Sequence, residues 1–386
     1  MIDTAKTVGT AETFDDKKIG AFLSEGVINS IPDLERAIFS LEYVGQLIDE
    51  GLNLIFKGGS AVQVLLGGKW TRLSVDIDIC TDSTEEELRT VLQKIHEKFD
   101  KAAFSYSPRD RKIGGKVPFY LYRIETPAIT EKSRTILLDA MGMKPKFSTL
   151  QIPLKTSFFN SSTEVTIPTI GALLGDKLST IGPTTIGRQL NNSRNGLEYA
   201  KHFYDINRLQ EADFNLDECA KAFNEAIEIQ SKIRNRDFSP HECFDDMLLT
   251  CQVASLSQQI GDEVIEKLQG ETRSRAHTEF KILVEGLGRF RPFLVQKLTY
   301  AWDDLRSYAA QTALLVKIIN GRVPEKKAKA ILREDLPAKK EEIANLVRKI
   351  KSLPEKDRWF IELDEIVNFP RVLKTWHDHF FIQELI

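Results

Sequence analysis

Long apolar runs are missing from this sequence. The longest, such as Leu314-Leu315-Val316, are far too short to span a bilayer. The N-terminal stretch MIDTAKTVGTAETFDDKK lacks the apolar core of a secretory signal. Cysteine is scarce: the four residues, at 80, 219, 243 and 251, show no C-x-x-C spacing, which argues against a disulfide framework or a zinc knuckle. Neither an internal repeat nor a low-complexity tract is found. His377 and His379 stand out in WHDHF, yet two residues apart on a helix they diverge, and no cysteine or acid completes a zinc set. These absences leave the expectation of a cytoplasmic globular protein with no membrane anchor. At 386 residues, two domains are the natural prior.

Charge of one sign is also in short supply. A formal net charge of −3 does not describe a nucleic-acid binder taken as a whole. The distribution is uneven, however: residues 316–351 hold eleven Lys/Arg against five Asp/Glu, and RDRKIGGK (109–116) holds four positive residues and one negative. Each segment reads either as a solvated helix face or hairpin loop, or as a surface for phosphate backbones. Composition alone does not choose.

The order of patterns predicts an α+β protein: a small mixed-sheet core flanked by helices over 1–165, then a helical domain over 166–386. In 33–50, Ala37, Ile38, Leu41, Val44, Leu47 and Ile48 fall on one helical stripe that Gly51 stops. LNLIFKGG reads as a buried strand running into a glycine turn, SAVQVLLGG as a short helix ending at Gly67-Gly68, and RLSVDIDIC as a strictly alternating strand. A capping box of Ser83 with Glu86 opens the next helix. VPFYLYRIE and RTILLDAM read as further strands. After STEVTIP the strand signals fade: Pro168 suits the first turn of a helix reaching Ile181, and another helix follows at about 195–210.

Chemistry concentrates in KGGSAVQVLLGGKWTRLSVDID, residues 57–78. On the alternating stretch Leu73, Val75, Ile77 and Ile79 face a core, so Arg72, Ser74, Asp76 and Asp78 share the opposite face. Two carboxylates so placed repel, and a pair of Mg²⁺ ions is the usual compensation, since hard cations prefer carboxylate oxygen. Upstream, Gly58-Gly59-Ser60 ends a strand and enters a helix. Free amides at such a terminus bind phosphate, glycine lets the anion approach, and Ser60 adds a hydroxyl. With Lys57 these form the candidate nucleotide-binding set, joined by Arg72 and Ser74.

Gly59-Ser60 followed by Asp76-Ile77-Asp78 resembles the signature of the DNA polymerase β-type nucleotidyltransferase superfamily. The fuller FKGGSA…RLSVDID is similar to the AbiEii/AbiGii-type toxin nucleotidyltransferases of bacterial abortive-infection and toxin–antitoxin systems. That resemblance implies a third metal-holding carboxylate on a neighbouring strand, for which TILLDAM offers Asp139. Buried, this acid needs a metal, a cation or solvent, although a strand end reaching water would give the same letters. Lys177 lies inside the stripe of Leu173, Leu174, Leu178 and Ile181; it would ordinarily snorkel outward, whereas the resemblance assigns it to the triphosphate. Asp205, between Lys201 and Arg208, reads by spacing as a surface ion-pair residue. The resemblance instead pairs it with Lys177. It also suggests Ser74 as the place where a kinase-like antitoxin acts, a phosphate there competing with Asp76 for metal.

The expected activity is Mg²⁺-dependent transfer of a nucleoside monophosphate from an NTP to an acceptor hydroxyl. The resemblance implies the 3′ end of tRNA as acceptor, a growth-inhibiting toxin of a toxin–antitoxin or phage-defence system, and a cognate antitoxin. A small acceptor, as in antibiotic-modifying enzymes, and a catalytically silent binding module are the alternatives.

Overall fold

The computed structural model describes residues 2–67, 72–109, 115–130, 132–295, 298–333, 336–337 and 339–386. The turn expected around Gly68–Thr71, the tip of the basic loop at 110–114, and positions 334, 335 and 338 of the basic segment lie outside the described residues. Two compact units emerge. One comprises Met1–Gly175, Asn224–Asp237 and Arg291–Thr299; the other comprises Asp176–Phe223, Phe238–Phe290 and Tyr300–Ile386.

The first unit holds α1 (Asp16–Ser24), α2 (Ile31–Asp49), β1 (Leu54–Lys57), α3 (Gly58–Leu66), β2 (Ile77–Thr81), α4 (Glu85–Lys98), β3 (Ser105–Pro108), β4 (Phe119–Glu125), β5 (Thr135–Met141), β6 (Thr149–Lys155) and β7 (Asn160–Pro168). Its main sheet runs β1-β2-β5-β4-β3, and β6 with β7 forms a separate hairpin. The β2–β5 pair is parallel and the other pairs of the main sheet are antiparallel. One face carries the row Ile55–Cys80–Met141–Phe119, closed over by Val117 and by Ile229 and Ile233. Phe56, Ile77, Ile79, Leu138 and Ala140 fill the other face and are all buried.

α2 is buried nearly all round rather than along one stripe. Its acids survive because they are saturated with donors. Glu35 accepts from the Thr130 amide at 2.8 Å and hydroxyl at 2.7 Å and pairs with Arg134, while Glu42 accepts from the amides of Val8 and Gly9 at 3.0 and 2.9 Å. Burial still pushes the Glu42 carboxyl above its usual range, against the hydrogen bonds from Gln46 and those amides.

Three sequence expectations are corrected. The capping box is Thr84 with Glu87, one residue later than Ser83 with Glu86, because Thr84 takes the extended N-cap conformation. Pro168 closes β7 instead of opening a helix; α5 spans Ile170–Leu178. The strand expected over RLSVDIDIC begins only at Ile77. The backbone of 73–76 turns to other partners: the carbonyls of Ser74, Val75 and Asp76 accept from Gln63, Ser40 and Ser60, and the Leu73 amide donates to Phe293. No sequence pattern marked β3 or β6, which are short or broken by Pro153.

In the second unit, helices dominate: α6 (Ser193–Glu211), part of α7 (Leu216–Arg234), α8 (Pro240–Ala254), α9 (Gly261–Glu266), α10 (Gly270–Leu287), α11 (Trp302–Asn320), α12 (Glu325–Arg333), α13 (Lys340–Lys351), α14 (Leu363–Ile366) and α15 (Pro370–Phe380). Arg306 ties α11 to α14 through a two-pronged bond to Glu365 at 2.9 and 3.0 Å. His377 and His379 are buried on α15, as core residues. No helix among the described residues is long and apolar enough to cross a membrane.

Candidate active site

The glycine turn and Asp78 meet within the first unit. β1 ends at Lys57 in extended conformation, and Gly58 starts α3 with φ +76°, a setting that side chains resist. Lys57, at the N-cap, makes no side-chain cap bond to the helix, and a helix start of this kind is suited to an anion. The Asp78 carboxylate lies against the α-carbon of Gly58: a Cβ there would overlap its oxygen and stand 2.7 Å from its Cγ. At Gly59 a Cβ would meet Ser74 Oγ at 2.5 Å and Arg72 Nη2 at 2.7 Å. The two glycines thus bring Arg72, Ser74 and Asp78 onto the turn.

Ser60 is fully buried and its hydroxyl donates to the Asp76 carbonyl at 2.6 Å. The proton that the sequence offers to a phosphate here secures the acidic segment instead. Gln63, one helical turn on, braces Ser74 from both sides, accepting from its amide at 3.0 Å and donating to its carbonyl at 3.2 Å. Sequence reasoning missed Gln63, although its i+3 spacing from Ser60 puts the two on one helix face. Arg72 is buried at 5% exposure and its Nη1 donates to the Leu73 carbonyl at 2.9 Å.

Ladder register aligns the charges. Lys57 pairs with Asp78, Asp78 with Asp139, and Asp139 with Leu121, so these side chains share one face. Just beyond β3, the Arg109 amide donates to Leu121 at 2.9 Å and its guanidinium forms an ion pair with Asp139. Of the metal, cation or solvent that a strand-end acid requires, the structure supplies a cation. Nothing in the basic cluster had singled out Arg109 for this partner.

In the second unit, Lys177 on α5 and Asp205 on α6 form a buried ion pair at 2.9 Å, with side chains 7% and 2% exposed. Asp205 is therefore interior, correcting the surface role that spacing alone suggested; Lys201 reaches Glu198 at 3.1 Å and Arg208 reaches Glu211 at 2.8 Å. Burial first, then the charge of Lys177, pushes the neighbouring His202 down to about 3. Burial would raise Glu198, but Lys201, His202 and Arg188 outweigh it and hold that acid at about 2.

A family model described as nucleotidyl transferase AbiEii toxin, type IV toxin–antitoxin system, matches residues 46–284. The chain belongs to the AbiEii family. It is a nucleotidyltransferase toxin of the type IV class, with a nucleoside triphosphate as substrate. Among solved structures, the AbiEii chain is similar to MenT4, a nucleotidyltransferase toxin from Mycobacterium tuberculosis H37Rv, at 13% identity and a TM-score of 0.42, covering 82% of this chain and 99% of that one. No curated protein matches the sequence.

The AbiEii chemistry raises the question of a divalent metal. Among the described residues no three His, Cys, Asp or Glu side chains come together as a metal-holding group. The donors nevertheless fit Mg²⁺, which characteristically takes one or two carboxylates and completes its shell with water and substrate phosphates. Asp78 and Asp139 are register partners, both acids are partly exposed, and the uncapped start of α3 lies against Asp78.

Proposed function

We propose that this AbiEii toxin transfers a nucleoside monophosphate to the 3′ end of tRNA, with Mg²⁺ held by Asp76 and Asp78 and shared with Asp139. The observation that carries the reading is the contact of the Asp78 carboxylate with Gly58 at the head of an uncapped helix. One element can then grip phosphate while the next presents acid oxygens beside it. Mg²⁺ bound there would neutralise phosphate charge and acidify the acceptor hydroxyl.

The chain's own residues do the rest. The amides of Gly58, Gly59 and Ser60 orient the triphosphate, with Lys57, Arg72 and Ser74 around the turn as further contacts. Asp139 takes the acceptor's proton as the 3′ oxygen bonds to the α-phosphorus and the bond to pyrophosphate breaks. Lys177, fixed by Asp205, is assigned to the triphosphate on the family pattern, where a cation offsets charge on the departing group. Exposed Lys326, Arg333, Lys340, Arg348 and Lys351 on α12 and α13 support tRNA as acceptor, because a track of cations suits a phosphate backbone. The consequence is growth arrest in the cytoplasm as part of phage defence, restrained by an antitoxin that binds the toxin or modifies Ser74.

Incubation of purified protein with labelled NTPs, Mg²⁺ and total tRNA tests the reading. Label at the tRNA 3′ end, lost in Asp78→Asn, is the expected result. Label on small molecules alone would replace tRNA with a small acceptor, and no transfer by the wild type would refute the mechanism.

A further inference from the structure

Arg109 is the unexpected member of the acidic row. It sits past the end of the edge strand, and its guanidinium crosses the Leu121 position to reach Asp139. Its side chain is only 16% exposed, against 32% for Asp139. Its Nε is buried with no hydrogen-bond partner, so the guanidinium keeps a donor that this pairing does not use. A buried unused donor is costly, and phosphate oxygens are acceptors that a planar guanidinium fits with two parallel bonds.

We infer that Arg109 is an exchangeable counter-ion: it holds Asp139 while the site lacks nucleotide, then trades that carboxylate for phosphate oxygens and releases Asp139 to the metal and acceptor. The inference rests on the reading of Asp76, Asp78 and Asp139 as a metal site. In this reading Arg109 contacts substrate phosphate once nucleotide is present and positions Asp139 before that. Exchange rather than simple loss of the pair keeps both charges partnered in each state, as low-dielectric surroundings require. A purely structural Arg109 would stay on Asp139 throughout.

The two roles separate in binding measurements that need no turnover. Mn²⁺ affinity is read by electron paramagnetic resonance without nucleotide, and the affinity of a non-hydrolysable NTP analogue is read by calorimetry. Arg109→Gln should bind Mn²⁺ about fivefold more tightly and the analogue about fivefold more weakly, the factor of an ion pair at the strong end of the exposed range. In an Asp139→Asn background the gain in Mn²⁺ affinity should vanish, since the shared carboxylate is gone. Arg109→Lys keeps the charge and should stay within about twofold of wild type for Mn²⁺. Both affinities weakening together in Arg109→Gln, or neither changing, overturns the exchange. Wild-type protein that binds no Mn²⁺ with or without the analogue removes the metal-site reading itself, a failure distinct from an unchanged Arg109→Gln in a protein that binds the ion.

Discussion

Gly58→Ala isolates the contact on which the site depends. Position 58 has φ +76°, a backbone setting that costs a non-glycine residue about 1–2 kcal/mol. The new Cβ would also stand 2.7 Å from Asp78 Cγ and 2.8 Å from its Cβ. Carbon–carbon contacts settle at about 3.5–4.0 Å, so Asp78 must retreat by about 1 Å. Displacement on that scale can cost a reaction about 10²-fold. Gly51→Ala is the matched control, because φ there is +90° and nothing lies within 4 Å of the added carbon. Nucleotide transfer and melting temperature are measured for both variants and the wild type. Each variant should melt a few degrees lower, at about 2–4 °C per kcal/mol. Only Gly58→Ala should lose transfer, by about 10²-fold. If it retains wild-type transfer, or if Gly51→Ala falls as far, the geometry assigned to Asp78 is wrong.

Asp205→Asn should destabilise the second unit by about 3–5 kcal/mol in thermal unfolding, since it leaves the Lys177 ammonium buried without its counter-charge; the double variant Lys177→Met, Asp205→Leu should recover much of that stability while staying inactive. Acid should loosen the same unit: His202 is held at about 3 against an ordinary 6.5, so the unfolded chain binds the extra proton and stability falls as pH drops from about 6.5 towards 3. Glu198, depressed from 4.5 to about 2, adds a loss in the same direction at still lower pH, and melting of His202→Gln across this range should show a flatter profile than wild type above pH 4.5. Gln63→Leu strands the amide and carbonyl of Ser74, and should lower stability by about 1–3 kcal/mol per unsatisfied group and weaken binding of the NTP analogue.

The sequence made parts of this site legible because they obey local rules. Gly58-Gly59 announces a turn, and the alternation of Ile77, Asp78 and Ile79 holds where Ile77–Thr81 forms ladder bonds, whereas Leu73 to Asp76 lies outside the strand. The shortfall before Ile77 was invisible because its cause is long-range in part: Ser40 and Phe293 supply partners that no window around Asp76 contains. Asp205 shows the opposite limit. Helical spacing offered it Lys201 and Arg208 as neighbours, while its buried partner at 2.9 Å is Lys177, 28 positions earlier. Arg109 was equally hidden, since its tie to Asp139 follows from strand order β5-β4-β3 and from nothing adjacent in the chain.

The order of charges across the sheet explains how such a centre can fold before its ligands arrive. Adjacent strands lie about 5 Å apart, so Asp78 and Asp139 as register partners carry like charges at a separation where repulsion is substantial outside bulk water. The ladder answers with Lys57 opposite Asp78 on one side and the Arg109 guanidinium on Asp139 on the other. Two acids flanked by two cations need no metal to be tolerated in the folded state. On the proposed metal site, the same flanking would set a threshold, because a lone divalent ion would have to displace a cation the fold already provides. A metal–nucleotide complex would meet a lower barrier, since its phosphates would give that displaced cation somewhere to go. On that proposed site, charge order within one sheet would therefore couple metal occupancy to nucleotide arrival and keep the centre inert until substrate is present.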